Sequence, residues 1–239
     1  MTLHDQILLM AAVLGLYLYD AMLLLYHNEI VFESRRRGYH VSAGAPVQVG
    51  GRHLYLPNPC LPHRMLIRLH WPDADVQASG KPGRQGVRTR LALQVIAPWT
   101  WLLLVLMIVG LPSAMWAGTS NVLLVWLMCT YSAIVMMLIQ VFRYRDALGL
   151  SRRAATALAF DALLCAPFAI NMVRKISLRQ TPPHSLRSMA ACMLSATEQA
   201  RLKQLLQERI HLSLDFIEPG SAAGNELIAY LKHFEEARP

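Results

Sequence analysis

The chain has 239 residues, of which 54% are apolar and 16% charged, and its basic residues outnumber the acidic ones to give a formal net charge of +8. Soluble domains carry about 25% charged residues, so this composition excludes a disordered chain and disfavours an ordinary cytosolic domain. Because the apolar residues are clustered in long runs, the sequence predicts a polytopic membrane protein.

The first apolar run covers roughly 6–26, which is long enough to cross a hydrocarbon core of about 30 Å. No positively charged stretch precedes it and no small-residue cleavage site follows it. We therefore expect a retained membrane span at 1–28 rather than a removed signal peptide.

The next segment, 29–92, predicts a small β-containing domain. Two short apolar runs, Val47–Val49 and His53–Leu56, flank a glycine pair as the strands of a hairpin do. Apolar and polar residues alternate over Arg64–Trp71, which indicates a further strand. The Gly-, Pro- and Ser-rich stretch that follows predicts a linker back to the membrane.

Two long apolar runs, 93–117 and 121–142, form the segment 93–142. Tryptophans lie near the ends of the first run, as at a membrane interface, and only a short uncharged link separates the two runs. The segment is therefore predicted to be an antiparallel transmembrane hairpin.

A basic link and a fourth apolar run make up 143–176. This run, 154–173, contains Asp161, Pro167 and Asn171, whose cost opposes insertion of the run on its own. Two interpretations remain open: a re-entrant or interfacial helix with a cytoplasmic tail, or a fourth transmembrane helix held by its neighbours.

The tail, 177–239, is predicted to be helical and cytoplasmic. Ser195 and Glu198 have the spacing of a capping box, so a helix should follow to about residue 212. A second amphipathic helix is expected over 225–236, with an apolar stripe that could dock a partner. The residues of this predicted docking stripe are Leu227, Ile228, Leu231 and Phe234.

Together these segments predict an all-α integral membrane bundle: three spans plus a fourth membrane-embedded helix, with a small β-rich cytoplasmic insertion and a helical C-terminal tail. The residues before the first span lack Lys and Arg, whereas the basic loop after it is rich in them. This asymmetry predicts an external N-terminus. Only four of the 23 basic residues are lysines, a composition typical of a bacterial inner-membrane protein.

Carboxylates inside predicted spans are the most informative residues. Asp20 and Asp161 fall at matching depth in the inner half of the membrane, and no Lys or Arg lies within a predicted span to neutralise them. Tyr17, Tyr131 and Asn171 could hydrogen-bond to them. Three interpretations remain open: the acids join helices as polar contacts, they form a proton or cation site in which two carboxylates share a raised pKa, or the predicted span limits are wrong and the acids lie outside the membrane.

Three polar residues, His27, Glu29 and Glu33, follow the first run at the level of the lipid headgroups. They could bind a metal, but the second histidine of a metalloprotease motif is missing, and an interfacial histidine is the simpler interpretation. The other histidines and cysteines match no zinc spacing, and the later spans contain no histidine for a haem. We therefore expect no metal and no cofactor.

Basic residues near the predicted membrane ends are expected to bind anionic lipid headgroups. They lack interleaved aromatic residues, so nucleic acid is not an expected partner. The predicted headgroup residues are Arg35, Arg36, Arg37, Arg88, Arg90, Arg143 and Arg145.

The sequence contains no catalytic motif, so an enzyme is not favoured. The leading hypothesis is a non-enzymatic accessory, scaffold or assembly subunit of a larger inner-membrane complex, with a protein partner or a homo-oligomer in the bilayer. The first alternative is a component of a proton- or cation-coupled transporter or channel that uses the intramembrane carboxylates. A weaker alternative is a membrane enzyme that acts on lipid at His27, Glu29 and Glu33.

Overall fold

A computed structural model of the chain describes residues 3–36, 38–71, 84–180, 186–215 and 221–236. The chain divides into two compact units. The helical unit comprises Met1–Met22, Leu56–Met65 and Gly80–Gln180. The sheet unit comprises Leu23–Tyr55, Leu66–Ser79 and Thr181–Pro239.

The helical unit is built from α-helices around an apolar core. They are α1 (Leu3–Ala21), α2 (Arg84–Val105), α3 (Leu111–Trp116), α4 (Ser120–Arg143), α5 (Arg152–Leu164), α6 (Ala166–Ile170) and α7 (Met172–Leu178). A π-helical turn, Leu106–Gly110, joins α2 to α3. The core contains Tyr17 from α1, Ile96 from α2, Met137 from α4 and Ile170 from α6.

Two long helices form a hairpin within this unit. The continuous helical segment Arg88–Trp116 has a mean hydropathy of 2.1, and Ser120–Arg143 has a mean hydropathy of 2.4. Between them the chain reverses at Gly118, whose φ of +67° lies in the left-handed region that favours glycine. By length and composition, both helices can cross a membrane.

The π-helical turn fits a tryptophan of the facing helix. The Trp126 indole N–H donates a hydrogen bond to the Leu106 carbonyl oxygen at 2.7 Å. A Cβ on Gly110 would lie 3.1 Å from Cδ1 of the same indole, closer than ordinary packing allows. The same carbonyl accepts the backbone N–H of Leu111, so Trp126 supplies a second donor from the facing helix and helps to fix the hairpin's register.

The sheet unit contains two antiparallel three-stranded sheets. Its strands are β1 (Leu23–Leu25), β2 (Glu29–Arg35), β3 (Gly38–Ser42), β4 (Gln48–Val49), β5 (Arg52–Tyr55) and β6 (Leu66–His70). One sheet has the order β1-β5-β4 and the other the order β3-β2-β6. The predicted hairpin over 47–56 is confirmed by the antiparallel pairing of β4 with β5. The strand predicted within 64–71 is confirmed as β6.

Three further helices belong to the sheet unit, α8 (Leu186–Met193), α9 (Ala196–Leu214) and α10 (Ala222–Glu236). Alternate residues of β2, Ile30 and Phe32, join a buried apolar core with Leu202 and Leu206 of α9. The predicted capping box is confirmed at its first position, because the Ser195 side chain accepts a hydrogen bond from the Glu198 N–H.

The predicted all-α membrane bundle, with three spans plus a fourth membrane-embedded helix, is wrong. The described residues form two three-stranded sheets, and two of their helices are long and apolar enough to cross a membrane. The first apolar run does not form one helix, because α1 ends at Ala21 and Leu23–Leu25 pairs with β5 as a strand. Leucine is compatible with either state, so pairing with a distant strand decides the outcome.

The fourth apolar run is divided into short helices. At Cys165 the backbone is extended, with φ −134° and ψ 93°, and Pro167 lies in the first turn of α6. A proline there has no N–H to continue the preceding helix. The resulting helices, 13 residues in α5, 5 in α6 and 7 in α7, are too short to cross a bilayer.

Removing the Trp126 hydrogen bond should weaken the hairpin. We expect Trp126→Phe to lower the free energy of unfolding by about 1 kcal/mol, because the Leu106 carbonyl loses the indole donor and keeps only the Leu111 N–H. Thermal unfolding of the purified protein in mild detergent measures the effect. The matched control is Trp116→Phe, at a side chain that is 92% exposed. Equal unfolding temperatures for the two variants would contradict the role of Trp126.

Candidate functional site

Polar side chains from distant parts of the sequence meet inside the helical unit. We call this set the polar cluster; its residues are Tyr17, Asp20, Asn171, Arg174 and Lys175. Asn171 lies where α6 ends and α7 begins, and the next two members follow it by three and four residues. Residues at this spacing share one helix face, so all three can reach α1 or the loop beside it.

An ion pair is the centre of the polar cluster. The Lys175 ammonium lies 2.7 Å from Oδ1 of Asp20, and the two side chains are 19% and 10% exposed. The other carboxylate oxygen, Oδ2, accepts a hydrogen bond from the Asn171 amide at 3.1 Å. The ammonium also lies 4.7 Å from the centre of the Phe168 ring, within range of a cation–π interaction. The Asp20 carboxylate thus has its charge balanced by Lys175.

Arg174 extends the cluster to the segment Leu56–Met65. It is 2% exposed. One terminal nitrogen donates to Oδ1 of Asn171 at 3.0 Å, and the other donates to the carbonyl oxygens of Asn58 at 2.6 Å and Leu61 at 3.1 Å. The Tyr17 hydroxyl donates to the Pro59 carbonyl in the same segment. A proline-rich loop that cannot form a sheet ladder is therefore held by side-chain donors.

The same loop contains His63, whose neutral form is favoured. Burial, together with the positive charges of Arg64 and Arg174, holds the pKa of His63 below its ordinary value of 6.5. A third positive charge beside Arg174 and Lys175 is thereby disfavoured at neutral pH.

The interactions of the polar cluster mainly join separate segments of the helical unit. Each of its charged groups bonds to another member or to backbone carbonyls. Buried charges that are paired and hydrogen-bonded in this way hold distant chain segments together, and removal of one partner is costly.

The two predicted intramembrane carboxylates are placed differently. Asp20 belongs to the polar cluster with Tyr17 and Asn171, whereas Asp161 is exposed on α5. Tyr131 is also outside the cluster, and its hydroxyl donates to the Leu163 carbonyl at 3.2 Å. The structure thus brings together three of the five predicted polar residues.

The predicted interfacial residues lie in the sheet unit. His27 is exposed, and its ring is perpendicular to that of Trp71 at 6.4 Å. Glu29 is buried; its carboxylate lies 3.0 Å from Nε2 of His70 and accepts a hydrogen bond from the Tyr26 N–H. Glu33 is buried too and accepts a hydrogen bond from the Tyr55 hydroxyl at 3.2 Å. The two glutamates therefore have separate partners.

The predicted headgroup arginines are exposed where the structure describes them, except for the half-buried Arg145, which pairs with Asp146 at 2.8 Å. Arg37 lies outside the described residues. In the predicted docking stripe, Leu227 packs against the core of the sheet unit and Ile228 is 46% exposed. The side chains of Leu231 and Phe234 lie outside the described residues.

Sequence reasoning missed the basic members of the polar cluster. Arg174 and Lys175 directly follow the fourth apolar run and lie outside every predicted span, so the sequence pattern does not identify them as partners of Asp20. A useful signal was available: an Asn, an Arg and a Lys at positions i, i+3 and i+4 form one polar face.

A second ion pair connects α9 to β3 within the sheet unit. The Glu198 carboxylate lies 3.0 Å from Nδ1 of His40 and accepts a hydrogen bond from the Val41 N–H at 2.9 Å. Burial of Glu198 opposes its ionisation, but these two contacts outweigh burial and hold the pKa of the carboxyl below its ordinary value of 4.5. On the same helix, Arg209 donates to the Ala43 carbonyl.

The described residues contain no group of three or more His, Cys, Asp or Glu side chains that could hold a metal ion. Comparison with known proteins gives no match, whether to a family model, to a curated protein or to a solved structure.

Breaking the ion pair of the polar cluster should destabilise the helical unit. We expect Lys175→Met to cost about 3 kcal/mol, because the buried Asp20 carboxylate loses its counter-charge. Asp20→Asn should also be destabilising. The double variant should lose less free energy of unfolding than the two single variants lose when their losses are added. Chemical denaturation in detergent measures all three. The control is Asp161→Asn, at an exposed carboxylate. A purely additive double variant would contradict the pairing.

Acid should weaken the contact between α9 and β3. Because the folded-state pKa of Glu198 is depressed, its stabilisation is present above the ordinary carboxyl pKa and is lost as the pH falls through the folded-state pKa. We expect Glu198→Gln to remove about 1 kcal/mol of stability near neutral pH and less at low pH. Unfolding measured across this range tests the sign. Glu208→Gln, at an exposed position on the same helix, is the control; a constant Glu198→Gln effect at every pH would contradict the assignment.

Proposed function

We propose that the chain is a non-enzymatic accessory, scaffold or assembly subunit of a larger complex in a bacterial inner membrane, anchored by the α2–α4 hairpin. The observation that carries the proposal is the apolar outer surface of this hairpin. In the most apolar 18-residue stretch of each helix, the buried share is 39% within Arg88–Trp116 and 28% within Ser120–Arg143. Most of their apolar surface therefore needs lipid or another protein to cover it.

The charges at the hairpin's ends support a definite orientation. Arg88 lies in the first turns of one helix and Arg143 ends the other, whereas the turn at Gly118 is flanked by uncharged residues. The positive-inside rule then places the arginine end in the cytoplasm and the turn outside. The side of the N-terminus stays a prediction.

The polar cluster supports a structural role for the helical unit's buried charges. The transporter alternative depends on unpaired carboxylates at Asp20 and Asp161, but Lys175 pairs with Asp20. The lipid-enzyme alternative depends on accessible groups at Glu29 and Glu33, and both are buried. Among the residues that the structure describes, no specific contact favours either alternative.

Membrane orientation can be tested with single cysteines in a chain whose four cysteines are replaced. In intact bacterial cells, Thr119→Cys at the turn should react with a membrane-impermeant maleimide. Asp146→Cys, whose side chain is 88% exposed at the other end, should react only after permeabilisation. Equal reactivity of both positions in intact cells would contradict the proposed membrane hairpin.

The accessory role requires a partner on the hairpin's outer surface. A photo-crosslinking residue at Met128, which is 64% exposed on α4, should give one discrete protein adduct in native membranes. The same residue at Met137, which is buried, should give none and serves as the control. A chain that forms lipid adducts alone at Met128 and purifies as a monomer would contradict the accessory role. Mass spectrometry of the adduct distinguishes a second copy from a different protein.

A further inference from the structure

Three separate parts of the helical unit meet at one end of the hairpin. The Thr89 hydroxyl on α2 donates to the Ala147 carbonyl in the α4–α5 link at 2.8 Å. Arg179, which caps α7, donates to the Ala154 carbonyl on α5 at 3.2 Å. Residues far apart in sequence thus form one surface. We call its exposed arginines the basic end: Arg88, Arg90, Arg143, Arg152 and Arg153.

The positive charge of the basic end is not balanced within the described part of the chain. No salt bridge there joins its arginines to a carboxylate. The nearby acid Asp146 pairs with Arg145 at 2.8 Å, and Asp20 pairs with Lys175. The arginine side chains are therefore available to an external anion.

The dipole of α5 increases the demand for an anion at this surface. Arg152 and Arg153 occupy the first turn of α5, and that turn contains no acidic residue. The N-terminal end of a helix carries a partial positive charge, so two cations there are locally unfavourable. The Ser151 side chain satisfies one backbone N–H of the turn but contributes no negative charge.

We propose that the basic end binds the phosphate groups of anionic phospholipids, with Arg143, Arg152 and Arg153 as the principal contacts. This inference rests on the proposed membrane placement of the hairpin, because the basic end lies where Arg88–Trp116 begins and Ser120–Arg143 ends. Guanidinium groups at the end of a membrane helix face lipid headgroups and can donate bidentate hydrogen bonds to phosphate oxygens. The lipids supply the negative charge that the described residues lack.

The test compares bound lipids by native mass spectrometry. The full chain is purified in mild detergent and mixed with equal amounts of phosphatidylglycerol and phosphatidylcholine. The wild type should retain phosphatidylglycerol preferentially. The variant Arg143→Gln/Arg152→Gln/Arg153→Gln should lower the bound ratio of the two lipids by about tenfold or more, since each basic residue near an anionic surface contributes about fivefold.

A matched variant controls for net charge. Arg201→Gln/Lys203→Gln/Lys232→Gln removes the same charge from the sheet unit and should leave the lipid ratio unchanged. An equal fall in both variants, or no fall in the first, would overturn the proposal. Loss of a co-purifying protein with an unchanged lipid ratio would also overturn it, since the arginines would then serve a protein partner.

Alkaline extraction of native membranes separates this failure from failure of the proposed function. Both variants and the wild type should stay in the membrane pellet. A wild-type chain released by alkali would overturn the membrane anchor and the lipid site together. A retained wild type with unselective lipid binding would overturn the lipid site alone.

Discussion

The contact between Lys175 and Asp20 is the constraint on which the helical unit depends. It joins α1 to α7, and Asn171 and Arg174 extend the same network to the loop that contains Asn58 and Leu61. These segments come from three distant parts of the sequence. A buried carboxylate without its cation is strongly unfavourable, so the network fixes which segments meet as well as how tightly they are held.

The α2–α4 hairpin, in contrast, is specified almost entirely by its local sequence. Its helices are long, apolar and separated by a short uncharged link, so its existence was predictable from composition. The packing between the two helices was less predictable, because the π-helical turn before Leu111 contacts Trp126 only when the two helices are in register. Hydropathy predicts the length of an apolar helix, whereas side-chain packing determines how that helix pairs with its neighbour.

Sequence patterns also predicted the hairpin of β4 and β5, the strand β6 and the cap at Ser195, because each depends on residues close in the chain. They failed where the deciding partner is remote. A run of leucines at Leu23–Leu25 continues the preceding apolar helix in every local respect, and only pairing with β5 makes it a strand. Lys175 was missed as the partner of Asp20 for the same reason.

The two classes of charge in the helical unit have different consequences. Inside, the charges of the polar cluster are matched to partners, so the cluster joins separate chain segments. At the basic end, arginines outnumber the acids, and α5 begins with two of them against its own dipole. The interactions that the helical unit leaves incomplete are thus an apolar helix surface and a positive end. A bilayer or a partner protein would cover the apolar surface, and an anion would balance the positive end, which is why the proposed role depends on contacts with other molecules.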